Sequence, residues 1–152
     1  MRSFTTEMSL LVTPEMSNFG GKMHGGELLK LLDKVAYTAA IRYSGNYVVT
    51  LSVDNVLFKE PVAIGELLTL LASVNFTGNS SMEIGIRVIA ENLESGAIRH
   101  TNTSYFTMVS VDADGKPIPV PPLTPETEVQ QRRWREATAR RQARHALSVQ
   151  GS

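Results

Sequence analysis

The 152-residue chain contains no cysteine, which removes thiol nucleophiles, thiolate metal sites and disulfides from its possible chemistry. Histidine is scarce too. The three present, His24, His100 and His145, have no spacing that puts two imidazoles on one helix face, so no metal site is expected. Net charge is absent: 15 basic and 15 acidic side chains cancel, which argues against a nucleic-acid partner. No uninterrupted apolar run is long enough to span a bilayer. The segment Met1 to Val12 alternates polar and apolar residues and carries Glu7, unlike a signal peptide. The expectation is a cytoplasmic protein with no membrane partner. Gly-x-Ser-x-Gly, the nucleophile elbow, is missing. Gly21-Lys-Met-His-Gly-Gly26 has the glycines of a phosphate-binding loop, but Glu27 stands where lysine is required.

What the chain does have is the size of one domain and average globular proportions, 42% hydrophobic and 20% charged residues. Ser3 to Val12 reads as a strand with Phe4, Met8 and Leu10 on one face. A loop from Glu15 to Gly26 holds Gly20, Gly21, Gly25 and Gly26. Helical spacing then takes over from Glu27 to Tyr43, with Leu28, Leu32, Val35, Ala36 and Ala39 on one stripe and a stop near Gly45. Asp33 falls at the margin of that stripe, close to Leu29 and Ala40. Four strands follow: Tyr47 to Phe58, Leu67 to Phe76, Met82 to Asn92 and Ile98 to Val111. Consecutive strands on short links imply an antiparallel sheet, and the order predicts an α+β fold with the sheet wrapped around one long central helix. A single helix leaves a five-stranded sheet with an exposed edge. An oligomer joined edge to edge is therefore expected.

Pro117, Pro119, Pro121 and Pro122 read as an extended connector without ladder partners. Thr124-Pro125-Glu126 then predicts a helix start, with a C-terminal helix running to about His145. The domain reading is 1–117 for the folded unit and 118–152 for the connector and a basic tail, which holds six of the ten arginines.

On local evidence the polar residues have more than one reading. Asp33 in mid-helix is a reacting group or a partner of Lys30 three positions earlier. Asp54 is the rival carboxylate, placed by strand alternation on a face with Thr50 and Ser52. Asn18 suits a turn as well as a site. His24 can cap the helix start, and Gly78-Asn79-Ser80-Ser81 is a hairpin turn.

The order Asn18-x5-His24-Gly25-Gly26-x6-Asp33 resembles the active-site segment of the cytosolic acyl-CoA thioester hydrolases, a hotdog-fold family. The likeness continues in Thr50 to Phe58, Asn79 to Ile84 and Pro119 to Glu128. It implies a hydrolase of lipid metabolism that converts acyl-coenzyme A to free fatty acid and coenzyme A without a cofactor. Asp33 matches the family's catalytic aspartate, acting as general base or nucleophile, and Asn18 its assisting asparagine from the opposite protomer. A homodimer, or a trimer of such dimers, is implied. Backbone N–H groups at Gly25 and Gly26 are then placed to hold an oxyanion. His24, Ser80 and Ser81 are weaker substrate-binding candidates. Two other functions fit the same residues: a hotdog dehydratase of hydroxyacyl thioesters, and a non-catalytic acyl-CoA binding module. No proline accompanies His24 as a dehydratase loop requires.

Overall fold

The computed structural model describes residues 3–54, 56–57 and 60–150. Its elements are strand β1 (Thr5–Leu11), helix α1 (Gly25–Ser44), strands β2 (Val48–Asp54), β3 (Leu67–Thr77), β4 (Ser81–Glu91) and β5 (Ile98–Ser110), and helix α2 (Glu128–Gln150). A short 3-10 turn, Pro14–Met16, follows β1. No helix among the described residues is long and apolar enough to cross a membrane.

Helix α1 forms where the apolar spacing puts it. Leu28, Leu32, Val35, Ala36 and Ala39 are all buried, joined by Ala40 and Tyr43. Gly45 ends the helix in the left-handed region at φ 74°, and its N–H returns to Ile41 O. The stripe packs on the inner face of one antiparallel sheet, whose order is β1-β3-β4-β5-β2. Inner-face residues alternate as the pleat requires: Leu68, Leu70, Ala72 and Val74 on β3, Met82, Ile84, Ile86 and Val88 on β4, Phe106 and Met108 on β5. This is the α+β architecture with a wrapped central helix that the sequence pattern predicts.

Three expectations change in the structure. Strand β2, whose place in the sheet the strand order leaves open, crosses to the far side and pairs with β5. It also ends at Asp54 instead of Phe58, and Asn55, Phe58 and Lys59 lie outside the described residues. Second, the proline connector does have partners. The N–H groups of Ile118, Val120 and Leu123 donate to Ser110 O, Asn79 O and Thr77 Oγ1, each at 2.9 Å. The residues between the prolines supply the donors the prolines lack, and Val120 and Leu123 are buried in the core. Third, α2 starts one turn later than Thr124 suggests. Thr127 Oγ1 accepts the Gln130 N–H at 3.1 Å while the Gln130 side chain accepts the Thr127 N–H, a reciprocal cap.

Helix α2 is not a free tail. It packs on the outer face of the sheet, with Ala137 buried and Trp134 against Phe76 at 4.6 Å between ring centroids. Arg140 makes two hydrogen bonds to the buried carboxylate of Glu83, at 2.6 and 3.1 Å, and lies over the Tyr105 ring. A bulge between Val74 and Phe76 turns Asn75 into the same cluster, where its amide donates to Glu83 at 3.1 Å and accepts from Ser73 at 2.7 Å. Burial of both sheet faces therefore needs a polar group and its partners at one point.

Gly85 sits against that cluster. A Cβ there would lie 2.4 Å from Asn75 Nδ2, a group already fixed by two hydrogen bonds. Gly85→Ala is expected to cost about 1–3 kcal/mol through overpacking, measured by urea denaturation. A variant within about 0.5 kcal/mol of wild type would mean that the Asn75 cluster rearranges at no cost.

Candidate functional site

The glycine-rich loop is ordered by its own polar atoms. Asn18 Oδ1 accepts from the N–H groups of Gly20 and Lys22 at 2.9 and 3.2 Å, so the turn-forming role foreseen for asparagine is present. Its NH2 end makes no hydrogen bond to another described residue and is available to donate. Phe19 beside it is fully exposed. The loop closes on the β2–β3 link through the Met23 N–H to Val62 O bond at 2.7 Å and a bridge between Lys22 and Ala63. That link is braced in turn by Glu66, which accepts from the Ala63 N–H at 2.8 Å and from Arg99 at 2.5 and 2.9 Å. The hydrogen bond from Arg99 holds the Glu66 carboxyl below the usual carboxylate range, although burial opposes it.

His24 caps α1: its Nδ1 accepts the Gly26 N–H at 3.0 Å. The imidazole lies so close that a Cβ on Gly26 would meet it at 3.1 Å. Of the two N–H groups expected to face an oxyanion, that of Gly26 is thus engaged by His24. The Gly25 N–H, at the first position of the helix, has no acceptor among the described residues.

Asp33 lies on the exposed margin of α1, in line with Leu29 one turn before and Tyr37 one turn after. Its Oδ1 accepts a hydrogen bond from Thr50 Oγ1 on β2 at 2.7 Å. Lys30 is not its partner in any described ion pair. The Thr50 contact was not foreseen, because simple alternation puts Thr50, Ser52 and Asp54 on one face. A bulge between Thr50 and Ser52 breaks that alternation: Thr50 pairs with Met108 on the inner face, whereas Ser52 and Asp54 pair with Thr107 and Tyr105 on the outer face. The rival carboxylate consequently points to α2, where Arg144 binds it at 2.7 Å. Asp54 and Asp33 are on opposite sides of the sheet.

Ser80 and Ser81 are not brought to Asp33. The Ser80 carbonyl accepts from Ser110 and that of Ser81 from Gly78, while the Ser81 side chain borders a groove under α2 with Thr107 and Arg141. Several tail arginines also have local work: Arg140 and Arg144 bind carboxylates of their own sheet, and Arg132 pairs along the helix with Glu136. Among the described residues no group of three His, Asp or Glu side chains is disposed to hold a metal ion.

Around Asp33 the edge of the sheet is apolar. Tyr47, Val49, Leu51 and Val53 on or beside β2 and Leu29 and Tyr37 on α1 are all exposed. Strand β2 pairs with β5 only, so its other edge offers unpaired backbone groups.

The thioesterase superfamily model matches residues 20–97. The protein VdlD of Helicobacter pylori is 53% identical over 137 residues, 90% of this chain and 78% of the relative. The cytosolic acyl coenzyme A thioester hydrolase of Rattus norvegicus is 37% identical over 132 residues, 86% of this chain but 35% of that longer protein. A hexameric acyl-CoA thioesterase superposes with a TM-score of 0.91 at 38% identity, covering 95% of this chain and 92% of the other. The acyl-CoA hydrolase of Staphylococcus aureus, solved with butyryl coenzyme A and coenzyme A, gives a TM-score of 0.85 at 32% identity over 97% and 92% of the two chains. Structures of that enzyme with one asparagine, one aspartate or one threonine changed to alanine are also similar. The spacing of those three altered residues is the spacing of Asn18, Asp33 and Thr50.

The Glu66 brace makes the loop's support sensitive to acid. A carboxyl with a depressed folded-state pKa contributes stability that is full above its unfolded value, about 4.3, and is lost as pH falls through the lower folded value. Glu66→Gln is expected to cost on the order of 1–3 kcal/mol at pH 7. The difference from wild type should shrink below about pH 4, as read by denaturant titration. A gap that stays constant from neutral pH into strong acid would show that Glu66 is not held as a carboxylate by Arg99.

Proposed function

The chain belongs to the thioesterase superfamily, and from that membership we propose that it hydrolyses acyl-coenzyme A thioesters to a free carboxylic acid and coenzyme A. The observation that carries the proposal is the Asp33 carboxylate, fixed by the Thr50 hydroxyl at 2.7 Å on an open, apolar sheet edge.

The chemistry asks little more of the protein. A thiol leaving group has a pKa of roughly 8.5 and departs as thiolate without a strong general acid. Asp33 takes a proton from water as the water oxygen attacks the carbonyl carbon. Alternatively, the carboxylate attacks directly, giving a mixed anhydride that water then cleaves. Either way the carbonyl oxygen gains negative charge. The Gly25 N–H at the positive end of α1 is placed to receive it, and Gly26 serves through its bond to His24. The free amide NH2 of Asn18 is the group that orients water or carbonyl. The His24 Nδ1 is taken by its cap and no proline accompanies the histidine as in a dehydratase loop, which disfavours the dehydratase reading. Coenzyme A is part of the substrate and is released as a product, and the proposed reaction calls on no cofactor.

The proposed site is shared between two copies. No hydrogen bond joins Asn18 to Asp33 among the described residues, and Asp33 lies where β2 can pair with a second β2 edge. Closing that edge would cover Leu51 and Tyr47, exposed at 68% and 60%, and bury Asp33 in a site that Asn18 of the second copy completes. The hexameric neighbour fits three such dimers. We place this enzyme in the cytoplasm, in acyl-group metabolism.

Asp33→Asn should lose at least ten-fold in kcat, a barrier change of about 1.4 kcal/mol, with unchanged assembly. A smaller loss in a free-thiol assay would remove Asp33 from the reaction, and retained acyl-CoA binding without hydrolysis in wild type would favour a binding module. Mixing Asn18→Asp with Asp33→Asn subunits under conditions of exchange should restore about a quarter of wild-type activity, because half the dimers are mixed and each has one intact site. Exchange without recovery would leave each chain with its own site.

A further inference from the structure

We propose that Arg144, on the C-terminal helix, is a positioning residue for the reaction: its ion pair with Asp54 selects the bulged register of β2 that aims Thr50 at Asp33. The proposal rests on Asp33 as the reacting carboxylate. Thr50 and Asp54 are four residues apart on one strand. In a regular strand, residues separated by an even number share a face, so Thr50 and Asp54 would point the same way. They do not. The irregularity between Thr50 and Ser52 lets Thr50 reach Asp33 on the inner face at 2.7 Å while Asp54 reaches Arg144 on the outer face at 2.7 Å.

The two bonds are mutually dependent. Were β2 to slip by one residue or lose its bulge, every side chain beyond the change would exchange faces. Keeping Thr50 on Asp33 would then carry the Asp54 carboxylate inward, away from Arg144. Keeping Asp54 on Arg144 would turn Thr50 outward. Only the bulged register satisfies both ends. A single-residue slip is a real alternative here, because β2 is an edge strand paired with β5 alone. Its continuation is tied by the Asn102 side chain to Leu57 O at 2.6 Å, which limits the chain's path but does not choose its face. The side chains of the ion pair are 27% and 31% exposed, shielded enough for geometry to matter.

The contribution of Arg144 is thus to the carboxylate's alignment, and its loss should appear in turnover and not in substrate affinity. Arg144→Met is expected to lower kcat about three- to ten-fold with KM within about two-fold. Arg144→Lys, which keeps a cation for the single Asp54 oxygen, should recover most of it. In a Thr50→Val background, Arg144→Met should cause no further loss, since its effect passes through the missing hydroxyl. Trp134→Leu loosens the same helix at Phe76 without touching β2, and should reduce thermal stability while leaving kcat unchanged. Independently of activity, amide exchange across Thr50 to Val53 should quicken in Arg144→Met and not in Trp134→Leu. Equal kcat loss in both helix variants, full additivity with Thr50→Val, or unchanged exchange in β2 would overturn the proposal. Should Asp33→Asn retain hydrolysis, the reaction assignment fails on its own, and the exchange measurement still decides whether Arg144 sets the register.

Discussion

The rest of the molecule depends on how completely α1 is enclosed. Leu32, Val35, Ala36 and Ala40 have essentially no exposure, so one whole stripe of the helix is committed to the sheet. An ionised group cannot sit there without a partner. A margin of the stripe is where a carboxylate can be both solvated and held by the sheet. Asp33 occupies it, at the border with the edge strand β2. The location of the proposed site follows from the packing: a charge that would act beside an apolar acyl group is placed where the core ends.

That logic was largely legible in the sequence. The helical stripe, its stop at Gly45 and the marginal place of Asp33 come from spacing alone, and the four strand segments from their turns. Position in the sheet was harder. The crossing of β2 to the side of β5 depends on contacts 51 to 62 residues apart in sequence, which short links do not reveal. Thr50 was missed for a different reason. A bulge adds one residue without a compositional mark, and the face assignment of Thr50, Ser52 and Asp54 depended on strict alternation. Segments that resemble the family's could place Thr50 near the site, but only the register shows its hydroxyl on Asp33.

The outer face shows the same constraint from the other side. Glu83 is 3% exposed because α2 covers the sheet, and a carboxylate so placed is tolerable only with near-complete pairing. Arg140 supplies it with a two-pronged bond, and Asn75 adds a third donor. Burial alone would disfavour the guanidinium charge, yet the Glu83 bonds and charge raise its pKa further. Such a pair adds less to net stability than an apolar contact of similar size. What it adds is a unique seat for α2, since displaced docking would leave the buried Glu83 carboxylate without its cation. The arginine-rich composition of the tail, which reads equally as a solvated face or a polyanion site, is explained for Arg140 and Arg144 by partners 57 and 90 residues away.

These two faces meet at β2. As an edge strand it satisfies α1 through Thr50 and α2 through Asp54, and in the proposed dimer it would meet a second copy of the chain through Val49, Leu51 and Val53, all within seven residues. A regular strand offers two faces and one free edge. The bulge at Leu51 lets the near and far halves of the strand use those faces in opposite phase. It also increases local twist. A reacting carboxylate on a rigid helix would be simpler to hold from within the core, but substrate could not then reach it. Placing it at the edge exchanges that rigidity for access, and in the proposed dimer a second copy would restore the enclosure that hydrolysis of a single chosen bond requires.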